Sequence, residues 1–316
     1  MKAQITEASK DGRQATLVLS GASLPLANGV VRATLADVET VAFGGAADSG
    51  LMVIRNTGAL HDGMLLDRTG LVPIHFDGGE IDGFRREALV FELNVSCPAS
   101  ATGLLDVTSR DFRVADADGK DLGPKFAQRL FPVDPVTGDA PIITQLRRGE
   151  ELHLKGHATK ASGRKHAGFC PVSRAALTYE GDEEEPTAFR ITLRSECGLS
   201  PTELLHRALA SLKGRVAAAA AAVAEGEPPI TTVDFESGAR LAEVRFAKGQ
   251  DSTLGEMLQA HLLRVAPDFA GYNVPHNLDE LLVMRFDAMG KKPADVFARA
   301  AKAAIDEIEA LQKALK

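Results

Sequence analysis

The sequence predicts an α+β fold of two related halves, each an antiparallel sheet with helices, with a β-rich insertion in the first half. Two long helical stretches share one apolar rhythm, stepping 4, 3, 4, 3, 4. One carries Leu205, Leu209, Leu212, Val216, Ala219 and Val223; the other carries Phe297, Ala301, Ala304, Ile308, Leu311 and Leu315. Such heptad-like seams bury against one another by knobs-into-holes packing. A strand–helix–strand pattern at 251–274 has a weaker copy at 24–43. Between 77 and 185 helical periodicity fades, and strand-sized apolar runs alternate with Gly, Pro and Asp turns.

From the N-terminus, residues 15–19 read as a strand broken by Gly21. Residues 24–38 read as a helix with two adjoining stripes: Leu24, Ala27, Val31, Leu35 and Val38, then Leu26, Val30 and Ala33. So wide an arc predicts burial on more than one side. Strands follow at 40–43 and 51–54, turn chemistry at 56–58, and one or two helical turns at 60–67. Segment 70–76 contains Pro73, which cannot donate to a ladder, so it is an edge strand or a docked loop. Strands are expected at 88–95, 104–108, 112–114, 152–158 and 174–179, with the acidic run 181–186 as the exit. After a strand at 189–193, Ser200, Pro201 and Glu203 mark a helix start. Residues 225–229 stop that helix and read as a linker.

The second half opens with strands at 230–235 and 241–246 around a Ser237-Gly238 turn. In 251–276, Leu254, Met257, Leu258, Leu262 and Val265 form one buried helix face. Thr253 and Glu256 have capping-box spacing, Pro267 ends the helix, and 269–274 reads as a strand. Another strand at 281–286 precedes the last helix, which Pro293 begins. The expected organisation is a discontinuous first module (1–76 and 186–225), an insertion (77–185), a linker with an entry strand (226–239) and a second module (240–316).

Bulk properties narrow the function. A chain of 316 residues exceeds one typical core. Its 45% apolar and 25% charged residues are ordinary for a soluble globular protein. A net charge of -7, no Trp and 5% aromatics argue against free-standing nucleic-acid binding, which needs clustered cations or stacking platforms. Cys97, Cys170 and Cys197 are widely spaced, which fits a reducing intracellular compartment rather than a disulfide framework. The N-terminus has no apolar signal-peptide core, and the longest apolar run, 216–224, is too short to span a bilayer, so no membrane partner is expected.

Four stretches carry a resemblance, in order and over nearly the whole chain. LANGVVRATLADVETVAF (26–43) and NTGALHDGMLLDRTGLVPI (56–74) resemble the first motifs of the alpha-like subunits of cellular RNA polymerases. That family comprises the bacterial alpha N-terminal domain, the archaeal D subunit and the eukaryotic third-largest subunit. QLRRGEELHLKGHATKASGRKHAGFCPVSRAALTYE (145–180) resembles its Gly-x-Glu, basic-loop, Lys-His-Ala and Pro-Val elements. Thr253-Leu254-Gly255 and Phe269-Ala270-Gly271-Tyr272-Asn273-Val274-Pro275-His276 resemble the smaller partner, the archaeal L or eukaryotic eleventh-type subunit. Both partners in one chain look like the fused subunit of large DNA viruses. With a viral source, the host nucleus, a cytoplasmic factory or the virion would be the setting.

The resemblance implies two alpha-like dimerisation modules forming an intramolecular pseudo-dimer. The chain would be a non-catalytic platform for two large catalytic polymerase subunits, with small zinc-bearing subunits beside it and no sequence-specific nucleic-acid contact. Leu254, Met257, Leu258, Leu262, Leu205, Leu209, Leu212, Phe297, Ile308 and Leu311 would build the interface between halves. Asn28, Arg32, Arg68, Lys165 and His166 would touch the large subunits. Val31 stands where the family has the first of two arginines, leaving Arg32 to carry more of that contact. Glu39 replaces the proline that ends the family's helix, and Asp67 replaces the histidine beside Arg68. Some members hold zinc or an iron–sulfur cluster in the β domain. The matching region here offers Cys97 alone, so no cofactor is expected.

Two rival readings rest on the residues. His153, His157, His166 and Cys170 form a conceivable metal set, the basis of a stand-alone metal-dependent enzyme, but no acid lies at ligand spacing and the loop around His166 is basic. His61 and Asp62 form a conceivable acid–base pair, but no nucleophile or orienting group accompanies them, so capping or a turn is the better reading. The third class is a dimerisation module unrelated to transcription.

Overall fold

The computed structural model describes residues 1–181, 186–234, 240–247, 250–276 and 281–315. Strands β1 (Lys2–Ala8) and β2 (Gln14–Ser20) form a hairpin. Helix α1 (Leu24–Ala36) starts at Ser23, whose hydroxyl accepts the Leu26 N–H at 3.3 Å. After β3 (Glu39–Ala42) and β4 (Leu51–Asn56) comes α2 (Asp62–Gly70), capped by His61, whose Nδ1 accepts the Gly63 N–H at 3.2 Å. The segment after it is a docked loop, not a strand. Val72, Ile74 and Phe76 are buried, and the His75 and Phe76 N–H groups donate to Leu130 O and Cys197 O.

The insertion follows: α3 (Gly78–Asp82), β5 (Leu89–Ser96), β6 (Leu105–Thr108), β7 (Phe112–Asp116), α4 (Pro124–Leu130), β8 (Ile142–Leu146), β9 (Glu151–Gly156) and β10 (Thr159–Ser162). Strands β4, β9, β5 and β7 form one antiparallel sheet, and β6 pairs with β8. Phe43, Phe91, Phe112 and Phe131 fill this region's core, with centroids 5.1–6.3 Å apart. β10 returns to pair antiparallel with β3, which ties the insertion to the N-terminal segment.

β11 (Val172–Gly181) and β12 (Pro186–Ser195) complete an antiparallel sheet in the order β1-β2-β12-β11. Helix α5 (Pro201–Glu225) is capped by Ser200, with Pro201 at its start, and ends at Gly226 in the left-handed region. In the C-terminal half, β13 (Thr231–Asp234), β14 (Arg240–Ala247), β15 (Ala270–Asn273) and β16 (Leu281–Phe286) form an antiparallel sheet in the order β13-β14-β16-β15. Helices α6 (Ser252–Val265) and α7 (Pro293–Ala314) accompany it. The architecture is therefore α+β with antiparallel sheets.

Several local expectations change. Strand β1 was not expected: six of its seven residues are exposed, so no apolar run marks it. Short α3, α4, β8 and β10 also lack a clear period. The expected Thr253–Glu256 capping box is replaced by Asp251, whose carboxylate accepts the Thr253 and Leu254 N–H groups at 3.0 and 3.3 Å. Helix α1 is buried on more than one side, against α5, α6 and β11, but Leu24 and Leu35 at its ends are exposed. Asp182 to Glu185 of the acidic run, Phe235 and the Ser237-Gly238 turn lie outside the described residues.

Candidate assembly interface

Four helices meet where the halves join: α1 packs on α5 and α6, and α7 packs on α5 and α6. The six seam positions of α5 are all buried, and so are the six of α7. Leu205, Leu209, Leu212, Leu254, Met257, Leu258, Leu262, Phe297, Ile308 and Leu311 are each at most 2% exposed. Phe297 differs from the rest in its ring neighbours, Phe246 and Phe286 of β14 and β16, which place it on the sheet core of its own half. Gly29 permits the close crossing of α1. A Cβ there would lie 3.2 Å from Met257 Sδ on α6 and 3.6 Å from Leu212 Cδ1 on α5.

Beside this apolar contact lies a closed ring of alternating charge. Asp37, the C-cap of α1, accepts from Arg164 Nε at 2.6 Å and from Arg215 Nη1 of α5 at 3.2 Å. Asp251, the N-cap of α6, accepts from Arg164 Nη2 at 2.8 Å and from Arg215 Nη2 at 2.7 Å. Each arginine bridges both aspartates, a use of the planar guanidinium that a lysine does not reproduce. Burial pushes the Asp251 carboxyl upward, but the Arg215 and Arg164 guanidiniums outweigh it and hold Asp251 well below the usual carboxylate range. The ring joins four positions distant in sequence: 37, 164, 215 and 251.

A second polar contact crosses the halves at the other end of α1. Glu307 of α7 accepts the Ser23 backbone N–H at 2.8 Å and the Ser23 hydroxyl at 3.0 Å. His261 Nε2 of α6, 2% exposed as a residue, lies 2.9 Å from the same carboxylate. Lys213 of α5 and Glu309 of α7 add a surface pair at 2.8 Å. None of these polar partners was singled out from the sequence. The available signals were a histidine inside the buried stripe of α6 and a glutamate beside Ile308, both weak alone.

The five residues expected to touch large partners fall in three places. Asn28 and Arg32 are exposed on α1 and line a cleft of about 480 Å³ with Thr253, Glu256, Tyr179 and Tyr272. This cleft joins the two halves and holds both tyrosines of the chain. Arg32 is partly committed within the chain, its Nε donating to Thr253 Oγ1 at 2.7 Å. Arg68 turns to β8 instead, donating from Nε to Ile143 O at 2.8 Å and from Nη2 to Ile142 O at 3.3 Å. Lys165 is exposed and 3.6 Å from Asp48, while His166 Nδ1 accepts the Gly168 N–H at 3.0 Å. Asp67 accepts the Ala46 N–H at 2.7 Å, so the residue beside Arg68 fixes a neighbouring turn.

The rival metal set is dispersed among local partners. His153 Nε2 lies 2.7 Å from Glu92 Oε1, His157 Nδ1 lies 2.9 Å from Leu89 O, and Cys170 Sγ donates to Val172 O at 3.3 Å. Among the described residues no group of three or more His, Cys, Asp or Glu side chains is placed to hold a metal ion. No helix among them is long and apolar enough to cross a membrane.

Comparison with known proteins gives a consistent relationship. Residues 243–314 match the RNA polymerase Rpb3/Rpb11 dimerisation domain. The chain is 30% identical over 200 residues to subunit 3 of DNA-directed RNA polymerases II, IV and V of Arabidopsis thaliana, covering 57% of each protein. It is 30% identical over 179 residues to subunit RPAC1 of RNA polymerases I and III of Homo sapiens, covering 49% of this chain and 48% of that one. To RNA polymerase II subunit RPB3 of Schizosaccharomyces pombe it is 23% identical over 293 residues, covering 75% and 93%. The chain thus spans about half the length of the first two relatives and most of the third.

Proposed function

We propose that this chain, a relative of the alpha-like subunits of multisubunit RNA polymerases, is a non-catalytic assembly platform in DNA-directed transcription. Its two alpha-like halves pair within one polypeptide and present a shared surface to two large catalytic subunits. One observation supports this best: the segment matching a dimerisation domain, 243–314, packs through α6 and α7 on α1 and α5 of the same chain. A surface built by both halves exists only when they are paired, so the platform would offer its partners one preorganised geometry.

On this reading the first module comprises the β1-β2-β12-β11 sheet with α1 and α5, and the second comprises the β13-β14-β16-β15 sheet with α6 and α7, so it would begin with β13 rather than at the expected residue 240. The insertion between them would run from β4 to β10, because β4 pairs with β9. Both limits are earlier than the boundaries at 77 and 185 expected from composition, because β11 belongs to the sheet of the first module. Asn28 and Arg32, which line the cleft between halves, would be the main contacts for a large subunit. Lys165 and His166 offer a second, basic contact, and Arg68 acts chiefly by fixing α2 to β8. Small zinc-bearing subunits would dock beside the platform, and the setting would be intracellular.

The test is an Asn28→Glu/Arg32→Glu variant of the tagged full chain, purified from its own cells. Recovery of both large subunits should drop at least about tenfold, with the circular dichroism spectrum and melting temperature near those of the parent. Unchanged recovery from a folded variant would remove this face of α1 from the interface.

A further inference from the structure

The charge ring has a property that stability alone does not account for: one member, Arg164, belongs to neither helical pair. It sits in the loop after β10, where the chain returns from the insertion toward β11. The loop lies against the end of α1. The Arg164 backbone N–H donates to Ala36 O at 3.1 Å, and a Cβ on Gly163 would fall 2.3 Å from Leu35 O. Only glycine allows that approach. From there Arg164 reaches Asp37 of the first half and Asp251 of the second.

We infer that the ring is a three-way lock in which pairing of the halves fixes the insertion loop, and that Arg164 is the positioning residue that transmits pairing to Lys165 and His166. Without Asp251, Arg164 keeps one aspartate of two, and Arg215 keeps the same one. Asp37, which also accepts the Ser211 hydroxyl at 3.3 Å, would then be the one ring carboxylate facing two guanidiniums. With the second half in place the charges alternate around a closed circuit of two aspartates and two arginines. The Asp37 side chain is 4% exposed and that of Arg215 14%, so an unbalanced ring cannot be relieved fully by solvent. The arrangement therefore favours the docked loop only when α6 is seated.

The consequence is ordered assembly. A partner that reads Lys165 and His166 together with Arg32 would meet them in the correct relation only on a paired platform. The docking role of Lys165 and His166 rests on the function proposed above; the coupling between Asp251 and the loop does not. The simpler account is that β10 pairing with β3 holds the loop by itself.

Hydrogen exchange on the intact chain separates the two. Asp251→Asn keeps a good helix cap, because asparagine caps as well as aspartate, while removing the charge that closes the ring. The Arg164 amide should then exchange at least about tenfold faster, with amides in the middle of α5 and α6 unchanged. Arg164→Lys should loosen the neighbouring Lys165 amide to a similar degree, since one ammonium does not bridge two carboxylates in this geometry. Loop exchange equal to that of the parent in Asp251→Asn would overturn the lock and leave the β3–β10 pairing as the sole restraint. Parent-like exchange in Arg164→Lys would overturn the bridging role of the guanidinium. Either result leaves the assembly reading standing. Faster loop exchange in Asp251→Asn combined with failure to recover large subunits with the native chain would instead remove the assembly reading and keep the lock.

Discussion

Glu307 accepts both the backbone N–H and the hydroxyl of Ser23, at 2.8 and 3.0 Å, so the last helix of the chain holds the residue that caps the first. The contact spans 284 positions of sequence and lies between the halves. Burial raises the Glu307 carboxyl, but the His261 and Ser23 hydrogen bonds outweigh this and hold it below the usual glutamate value of 4.5. A depressed carboxylate contributes stability that is complete above its unfolded value and is lost as pH falls through the folded one. Glu307→Ala should cost about 2–4 kcal/mol in urea unfolding at neutral pH. Glu307→Gln should flatten the loss of stability below pH 4.5. An acid limb as steep as the parent's in Glu307→Gln would contradict the assignment.

His75 predicts a different pH dependence. It lies in the docked loop after α2, its Nε2 is buried with no hydrogen-bond partner among the described residues, and burial, aided by Arg13, lowers it from 6.5 to about 4. The unfolded chain binds this proton first as pH falls from 6.5 to about 4, so folded stability declines across that window. The contribution at the acid end is about 3 kcal/mol. Urea midpoints measured from pH 7 to pH 4 should fall less in His75→Gln than in the parent, and parallel curves would exclude His75 as the cause.

Gly29 separates crowding from helix propensity. Alanine there would meet Met257 Sδ at 3.2 Å, the end of an adaptable side chain, and would gain about 0.5–1 kcal/mol of helix propensity. Gly29→Ala should therefore melt within a few degrees of the parent. Gly29→Leu should lose about 1–3 kcal/mol or more by wedging α1 from α5 and α6. Thermal melts of the pair decide it, and equal melting temperatures would mean that the crossing is looser than the geometry implies.

Leu212 tests whether the halves unfold together. It is 2% exposed on α5, the helix that meets both α1 and α7. Leu212→Ala should cost about 2–5 kcal/mol and raise proteolysis in both halves, not in the first alone. An Ile308→Ala variant, made from the α7 side, should give the same two-sided pattern. Cleavage confined to the mutated half would show that each helix serves only its own sheet.

The helical half of this architecture was legible because burial repeats with a period. The seams of α5 and α7 and the apolar face of α6 can be read directly, since each buried residue has like neighbours three and four positions away. Strand β1 was not legible, because an exposed edge leaves no apolar pattern. The polar joints were not legible for another reason. Asp37, Arg164, Arg215 and Asp251 share no local motif, and only the fold brings each arginine within 3.2 Å of both aspartates. Thr253 illustrates the same limit: its spacing to Glu256 fits a capping box, yet its hydroxyl serves Arg32 across the interface while Asp251 takes the cap.

If paired halves in one chain form a platform for large polymerase subunits, those subunits should travel with the chain. Purification of the tagged full chain from its own cells under mild salt, with co-purifying proteins identified by mass, tests it most directly. Two very large catalytic polymerase subunits are expected in stoichiometric yield, lost when Leu212→Asp and Ile308→Asp together break the helix contact between halves. A chain recovered alone, or large subunits retained by that unpaired variant, would contradict it.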